Sequence, residues 1–404
     1  MRLSSSQITS AGVREMLLRQ SELTHTQLQL STQKRVLLPS DDPVAATSIS
    51  SLQTEIAQLE QFNLNGSAAD ANISLEESVL STVTDILFRV RDLMVSLGNG
   101  AYSFNEIAGI GSELEERLDE VLGLANTKNS NGDYIFSGSK VKTAPYARET
   151  DGSFSYNGDQ NQRMLRISSG FVIPISDPGF DVFSDIKNGN GDYITSANNA
   201  NTGTGIIDPG SYQAPPNFLA ESYTIDFGVD GGGNTTYTVT GDPSAAVIVP
   251  ATVWKEDDAI SFNGITTKVS GEPLVGDQFR IDASSSQDIF SNIQLAIDAT
   301  TGYQDTEAGK ALYYNQLNSV QETMDKQMQN IDLVRGKVGS RLNIISSEEN
   351  SNLSLLITNK TALSDIQDLD VVEASTRFSQ QLVVLEAAQA SFVRVQGLSL
   401  FNFL

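Results

Sequence analysis

The chain has 404 residues, no cysteine and one histidine, and its 26 Lys and Arg against 50 Asp and Glu give a formal net charge of −24. The lack of cysteine excludes disulfides, thiolate metal sites and cysteine nucleophiles, and so acidic a balance argues against binding to nucleic acid or to an anionic membrane. A hydrophobic fraction of 39% and a charged fraction of 19% are typical of a folded chain, and the length suffices for two or three domains.

The N-terminal segment does not have the pattern of a signal peptide. Residues 1–17, MRLSSSQITSAGVREML, lack a continuous apolar run. The longer apolar runs, such as Ala245 to Val249, are far too short to span a bilayer. If the protein leaves the cell, we expect a route that needs no cleaved signal peptide.

Residues 30–47, LSTQKRVLLPSDDPVAAT, contain two prolines around a Ser-Asp-Asp group. The carboxylates could form a catalytic or metal-binding pair, or one helix could end here and another begin. Pro39 cannot continue a helix because it lacks an N–H, whereas Ser40 or Asp42 can cap a new helix and Pro43 suits its first position. Carboxylates are also favourable at the positive N-terminal end of a helix. The segment therefore predicts a helix joint made of Pro39, Ser40, Asp41, Asp42 and Pro43.

Three stretches carry helical patterns. Residues Ile73 to Leu97 place apolar side chains at alternating steps of three and four, with Glu76 as the one break, and Gly98-Asn99-Gly100 ends the pattern. A second helix is predicted from Asn105 to Ala125, and a third apolar stripe runs from Leu317 to Ile345. Patterns this long favour an elongated helical bundle over a compact globule.

The middle of the chain changes to strand signals. Asn131-Gly132 beside an aromatic, β-branched run predicts a β-hairpin over residues 129–138. Residues 146–289 hold 7 Lys and Arg against 19 Asp and Glu, and glycine, asparagine and proline separate their short apolar runs. This predicts an inserted, outward-facing β-rich domain. The predicted strands cover residues 153–156, 165–175, 222–229, 235–240, 245–253 and 259–269.

Three places resemble chemical sites only weakly. His25 cannot by itself build a multi-histidine zinc site and suits a polar helix position. Ser137 to Lys140 matches the Ser-x-x-Lys nucleophile pattern but lacks its partner motifs. Asp185 to Asp192 resembles a calcium loop, yet Lys187 and Gly189 occupy ligand positions, which favours a turn. We predict no enzymatic activity, no cofactor and no metal centre, and we leave a loose surface calcium site open.

The C-terminal segment is apolar over more than one stripe. A seam at helical spacing is accompanied by further apolar residues, among them Val383, Val384 and Val393, and most polar positions are glutamines. Such a helix needs more than one neighbour. It could pack only into its own chain, but we expect it to complete its burial against other subunits. The inferred assembly residues are Phe378, Leu382, Leu385, Phe392, Val395, Leu398 and Phe401.

The two ends of the chain carry opposite charge. The first 40 residues hold five Lys and Arg against two Asp and Glu, and the last 40 hold two against five. Coincidence is one explanation, but opposite charges also suit an antiparallel pairing of the N- and C-terminal helices. We expect this pairing, with the chain leading out to a β-rich tip and returning.

Three motifs in this order resemble the flagellin superfamily, and more closely its hook–filament junction members. They are LSTQKRVLLPSDDPVAAT, LANTKNSNGDYIFSGSKVKTAPY at 124–146 and EAAQASFVRVQGLSLFNFL at 386–404. Filament flagellin, the near alternative, typically has Asp-Asp-Ala-Ala where this chain has Asp-Asp-Pro-Val-Ala, and an Arg-containing tail instead of Leu-Phe-Asn-Phe-Leu. Gln33 stands where the superfamily usually has glycine. Since Gln is the better helix former, it weakens the case for a bend there.

The resemblance implies an α+β fold, in which paired N- and C-terminal segments form an elongated α-helical coiled-coil bundle with an inserted β-rich domain. It implies a terminal inner domain (1–40 with 370–404), a helical rod with the β-hairpin (41–145 with 289–369) and a variable outer domain (146–288). It also implies a structural role at the hook–filament junction of the bacterial flagellum, outside the cell, after type III export without a cleaved signal peptide.

The partners implied by the resemblance are the first hook-associated protein, flagellin, copies of the same chain in a ring, and a cytoplasmic export chaperone on the C-terminal helix. A secreted adhesin with a coiled-coil stalk and a β-rich head is the alternative from another class. It would use the central region to bind a surface or a glycan.

Overall fold

The computed structural model describes residues 5–100, 102–213 and 221–401. The chain divides into two compact units, one made of residues 1–65 with 347–404 and the other of residues 66–346. The boundaries between them lie inside two long helices rather than in loops. The three-domain division at residues 40, 145, 288 and 369 stays a prediction.

Helices come from both ends of the chain and most strands from its middle, which confirms the predicted fold class. The helices are α1 (Ser5–Thr32), α2 (Pro43–Leu97), α3 (Phe104–Ala125), α4 (Ile289–Thr301), α5 (Glu307–Gln367) and α6 (Val371–Phe401). A single π-helical turn covers Phe180–Ser184. The strands are β1 (Tyr146–Arg148), β2 (Phe154–Tyr156), β3 (Met164–Arg166), β4 (Val172–Pro174), β5 (Tyr193–Ala197), β6 (Ile206–Ile207), β7 (Ser211–Tyr212), β8 (Ser222–Val229), β9 (Thr235–Asp242), β10 (Val247–Val253), β11 (Ile260–Phe262), β12 (Ile265–Thr267), β13 (Val269–Ser270) and β14 (Gln278–Ala283).

Helix α2 contains the predicted Ile73–Leu97 helix but begins much earlier, at Pro43. Before Ile73 its buried face includes small residues such as Ala45 and Ala69, which give a weaker apolar pattern than the leucines that follow. From Ile73 onward the apolar side chains join one core with α3, α4 and α5. Glu76, the break in that pattern, is only 1% exposed and so lies inside the core.

Residues 129–138 do not form the predicted hairpin. A single β-bridge joins Lys128 to Tyr134. The Oδ1 atom of Asn129 accepts hydrogen bonds from the main-chain N–H groups of Asn131 (3.0 Å) and Asp133 (3.1 Å). This side chain therefore satisfies groups that strand pairing would otherwise use. The segment is a loop whose Phe136 is fully buried in the helical core.

The β-rich region is organised around a five-stranded antiparallel sheet in the order β10-β9-β8-β14-β5. Alternate side chains of β8 and β14 point to one face, and with residues of β11 and β12 they form a second apolar core. Its members include Tyr223, Ile225, Phe227, Phe279 and Ile281.

Two predicted strands are interrupted by turns. Residues 165–175 form the β3–β4 hairpin, and residues 259–269 form three short strands that reverse at Asn263-Gly264. Both turn residues have positive φ (44° and 83°), the conformation for which Asn-Gly is favoured in two-residue hairpins. Strand β14 was not predicted. Its outward residues Gln278, Arg280 and Asp282 interrupt any continuous apolar run.

Candidate assembly site

Helices α1 and α6 of the first unit pack against each other. At one end of the pair, Gly12 lies so close to Phe392 that a Cβ atom on the glycine would be 2.8 Å from the ring. At the other end, the N–H of Leu369 donates to the carbonyl oxygen of Gln33 at 3.0 Å. Residue numbers thus rise along α1 as they fall along α6. The pairing is antiparallel, as the opposite charges of the chain ends predicted.

The apolar seam predicted on α6 is half-buried within the chain itself. Phe378, Leu385 and Phe392 are half-buried, and Leu382 is 38% exposed. The more open residues are those accompanying the seam, with exposed fractions of 62% for Val383, 48% for Val384 and 68% for Val393. Helix α1 also exposes Val13, Leu17, Leu18 and Leu28. The pair therefore presents apolar surface that its own contacts do not cover.

Val395, Leu398 and Phe401 complete the inferred assembly set. Helix α6 extends through these positions, but their side chains lie outside the described residues. The assembly role of the whole set stays a prediction. The exposed valines beside the seam are the better test of it, because more of their side chains is open than in the seam residues.

The first helix ends earlier than the sequence indicated. Helix α1 stops at Thr32 rather than at Pro39, and Gln33 follows with φ 56°, in the left-handed region. The expectation that Gln33 argues against a bend was therefore wrong. A residue with positive φ just beyond a helix is a common way to end it, and glycine is preferred there because it has no Cβ to clash.

The predicted joint residues have separate roles. Pro43 is the first residue of α2, and the Oδ1 atom of Asp42 accepts from the N–H of Ala45 at 3.0 Å, which caps the helix. Pro39 and Ser40 are exposed and lie in a turn closed by the N–H of Asp41 donating to the Leu38 carbonyl at 3.0 Å.

Asp41 holds the other side of this turn. Its Oδ2 atom accepts from the N–H groups of Leu38 (2.9 Å) and Leu37 (3.1 Å). These main-chain donors, Leu38 foremost, hold the pKa of Asp41 below its usual value. Both carboxylates of the Asp41-Asp42 pair therefore accept main-chain hydrogen bonds, one in the turn and one at the start of α2, which is the helix joint that the sequence predicted.

The joint between α1 and α2 is bonded to the end of α5 and to the short segment between α5 and α6. The N–H of Arg35 donates to the carbonyl of Gln367 at 2.7 Å, and its guanidinium donates to Ile366 at 2.9 Å. In the second segment, Asp370 caps α6 by accepting from Val372 (2.9 Å) and Glu373 (3.1 Å). Sequence reasoning gave Asp370 no role, although an Asp three residues before Glu373 is a cap signal.

Gln33 gives a direct test of the joint. We expect Gln33→Gly to raise the free energy of unfolding by about 0.5–1 kcal/mol, because glycine adopts a positive φ without strain. Gln33→Ala is the matched control, since it removes the same side chain but keeps Cβ. The measurement is chemical denaturation of the full chain followed by helical circular dichroism. A stability of the glycine variant no higher than that of the alanine variant would refute the strain argument.

The weak chemical candidates have structural contacts. His25 Nε2 lies 4.0 Å from Asp41 Oδ2. Ser137 Oγ donates to the Tyr134 carbonyl (3.1 Å), while Lys140 Nζ donates to the Gly158 carbonyl (3.2 Å). Within the described ranges, no cluster of three or more His, Asp or Glu is placed to hold a metal ion. No helix in those ranges is long and apolar enough to cross a membrane.

The residues 185–192, compared above with a calcium loop, form a turn. The Oδ1 atom of Asn190 accepts from the N–H groups of Asp192 (3.0 Å) and Tyr193 (2.9 Å). Gly189 and Gly191 have positive φ (57° and 95°). The asparagine oxygen is thus used within the turn, as the sequence interpretation favoured.

A buried charged cluster in the second unit was missed by sequence reasoning. Arg341 makes a two-pronged ion pair with Asp177, at 2.8 and 2.9 Å, and the side chains are only 13% and 8% exposed. The N–H of Asp177 donates to Glu76 Oε1 at 3.1 Å. Burial, with a smaller contribution from the Asp177 charge, raises the pKa of Glu76 to about 8. The one visible signal was Glu76 itself, placed in an apolar seam.

Known proteins match this chain at both ends and along its length. The bacterial flagellin N-terminal helical region matches residues 3–141, and the C-terminal helical region matches residues 321–404. Flagellar hook-associated protein 3 of Escherichia coli is 26% identical over 404 residues, covering 100% of this chain and 99% of the relative. A solved structure of flagellar hook-associated protein 3 from Legionella pneumophila is 31% identical, with a TM-score of 0.75, and covers 79% of this chain and 98% of that one. The chain belongs to the flagellar hook-associated protein 3 family.

A second structure supports this family membership. It is described as the flagellar junction protein of Legionella pneumophila, is 31% identical with a TM-score of 0.73, and covers 79% of this chain and 99% of that one. The similarity to hook-associated protein 3 structures thus also includes part of the chain between residues 141 and 321, which the two flagellin regions do not match. The resemblance seen in the three sequence motifs is confirmed.

Proposed function

We propose that this chain is a structural adaptor at the junction between the hook-associated zone and the flagellin filament of a bacterial flagellum. The observation that carries the proposal is the apolar surface left open on the paired terminal helices, with Leu18 60% and Val393 68% exposed. Apolar surface left open on a folded chain is typical of a protein–protein interface. Membership in a family with a member described as a flagellar junction protein supports the same role.

The proposed partners are the first hook-associated protein on one side, flagellin on the other, and copies of this chain arranged in a ring. All would meet the chain through α1 and α6. Before assembly, the exposed valines of α6 need cover, which is the reason to propose a cytoplasmic export chaperone on this helix. The protein would act outside the cell, after type III export without a cleaved signal peptide.

The test places a charge on the open face of α6. We expect the double variant Val383→Asp/Val393→Asp to abolish filament attachment, because assembly would bury two unpaired carboxylates. Gln380→Asp/Gln389→Asp is the matched control, since it puts the same two charges at exposed polar positions of the same helix. Variants would be expressed in a strain lacking the chromosomal copy, with filaments counted by electron microscopy and flagellin measured in the medium. Filament numbers equal to those of the control would contradict the proposal.

Filament flagellin is the second candidate, because both terminal matches are to flagellin regions. The two functions differ in where the protein accumulates. Immunogold labelling of a tagged chain would show one band at the hook–filament boundary for an adaptor, and labelling along the whole filament for a flagellin.

A further inference from the structure

A cleft of about 430 Å³ opens in the second unit, and none of its lining residues belongs to α1 or α6. Its walls are the end of β5 with the loop that follows, the end of α4, and the first turns of α5. Clefts of this volume are within the range that holds small molecules. Neither the helix joint nor the assembly surface uses it.

The lining is polar but carries almost no charge. Among the described residues around the cleft, none is basic and Asp298 is the one acid. Its Oδ1 atom already accepts from Gln294 Nε2 at 2.8 Å. The lining has no cationic side chain to pair with a phosphate or a carboxylate, and the Asp298 carboxylate would repel either, while calcium needs several oxygen ligands with more than one carboxylate as a rule. The lining therefore favours an uncharged ligand.

Two buried or half-buried amides fix the inner wall. Asn315 donates from Nδ2 to the carbonyls of Gly205 (3.0 Å) and Ala311 (2.8 Å), and its Oδ1 accepts from Ile207 at 2.9 Å. Asn201 is bonded through both its Oδ1 and its Nδ2 to the main chain of Gln278. These bonds hold the loop after β5 against the rest of the unit, so the inner wall is fixed by hydrogen bonds within the chain.

Three other side-chain amides of the lining have unused hydrogen-bond donors and acceptors. Asn199, Gln304 and Gln316 line the cleft and are exposed, and within the described residues their side chains make no hydrogen bond. Each amide offers both donors and an acceptor. Such groups pair well with hydroxyls, which also donate and accept.

Apolar surface lies beside these amides. Leu295 is 49% exposed at the rim, while Ala299 and Tyr313 are buried in the floor. A ligand with a ring of C–H groups on one face and hydroxyls at its edge would cover the apolar part and bond to the amides. We infer that this cleft binds a small uncharged saccharide.

The test uses the full chain and ligand-observed nuclear magnetic resonance with glucose, N-acetylglucosamine, maltose and lactose. A preformed but exposed cleft predicts a Kd of roughly 0.1–10 mM for at least one of them. Glucose 6-phosphate and calcium chloride are the charged comparators and are expected to bind more weakly. Binding of no neutral sugar in that range, or equal binding of the phosphorylated sugar, would overturn the inference.

Three variants locate the binding. Gln316→Ala and Asn199→Ala each remove one free amide and should weaken the sugar's binding by about 2- to 10-fold. Ala308→Trp should fill the cleft and abolish binding. Asn318→Ala is the matched control on α5, because Asn318 lines a different depression, and it should leave binding unchanged. Circular dichroism confirms folding of each variant. A sugar that binds Ala308→Trp as tightly as the parent protein would overturn the assignment to this cleft.

Discussion

Arg341→Leu is expected to lower the free energy of unfolding of the second unit by about 3–5 kcal/mol, because it leaves a buried carboxylate without its partner. Arg341 on α5 contacts both carboxylate oxygens of Asp177, and both side chains are largely buried. Gln162 Nε2 also donates to Asp177 Oδ1 at 2.7 Å, but a neutral amide does not replace the lost charge. The measurement is urea denaturation at neutral pH, followed by circular dichroism.

Arg335→Leu provides the matched control for this prediction. Arg335 lies on the same helix and pairs with Glu77 at 2.8 Å, but these side chains are 29% and 31% exposed. A partly solvated pair is worth up to about 1 kcal/mol, so this variant should lose far less stability. Adding Asp177→Asn to Arg341→Leu removes the orphaned charge and should recover much of the loss. If the two single variants lose equal stability, or if the double variant recovers none, the loss in Arg341→Leu does not come from a buried unpaired carboxylate.

The helices could be predicted from the sequence because their apolar spacing repeats over many turns. Helix α3 and the apolar stripe of α5 follow the predicted spacing, since each packs one face on the shared core. Strands gave a weaker signal because several have only two or three residues. The turn at Asn263-Gly264 was not recognised, and residues 259–269 were predicted as one strand. Asn131-Gly132 predicted a hairpin turn, but in the structure the Asn129 side chain accepts hydrogen bonds from the main chain of Asn131 and Asp133 and replaces strand pairing.

The candidate site was predictable where its signals are local. Pro43 and Asp42 act within a few residues of each other, so their helix-start pattern was visible in the sequence. The bend at Gln33 was not predicted, because the high helix propensity of glutamine disfavours one. The bend is stabilised by hydrogen bonds of residues 33–35 with residues 366–369, which lie far away in the sequence. The contact between Glu76 and Asp177 joins residues 101 positions apart, and no local pattern reports such a distance.

Glu76→Gln is expected to make the protein more stable than the parent in alkaline solution while changing little near pH 5. Burial raises the pKa of Glu76 from 4.5 to about 8. Between these two values the folded state retains a proton that the unfolded chain has released, so the parent loses stability as the pH rises. A shift of this size corresponds to a loss on the order of 4–5 kcal/mol once the pH exceeds the folded pKa. Glutamine keeps a carbonyl oxygen to accept from the Asp177 N–H and does not ionise.

The measurement is a series of denaturation curves from about pH 5 to about pH 9 for parent and variant, in which the stability gap should widen with pH. Glu77→Gln, at the next position of α2, is the control. It removes the partly exposed pair with Arg335 and should cost at most about 1 kcal/mol. Parallel curves for parent and Glu76→Gln would mean that Glu76 ionises in the folded protein as readily as in the unfolded chain. The acid in the apolar seam would then be solvated rather than buried, and the Asp177–Arg341 pair would hold the turn before the π-helical segment without it.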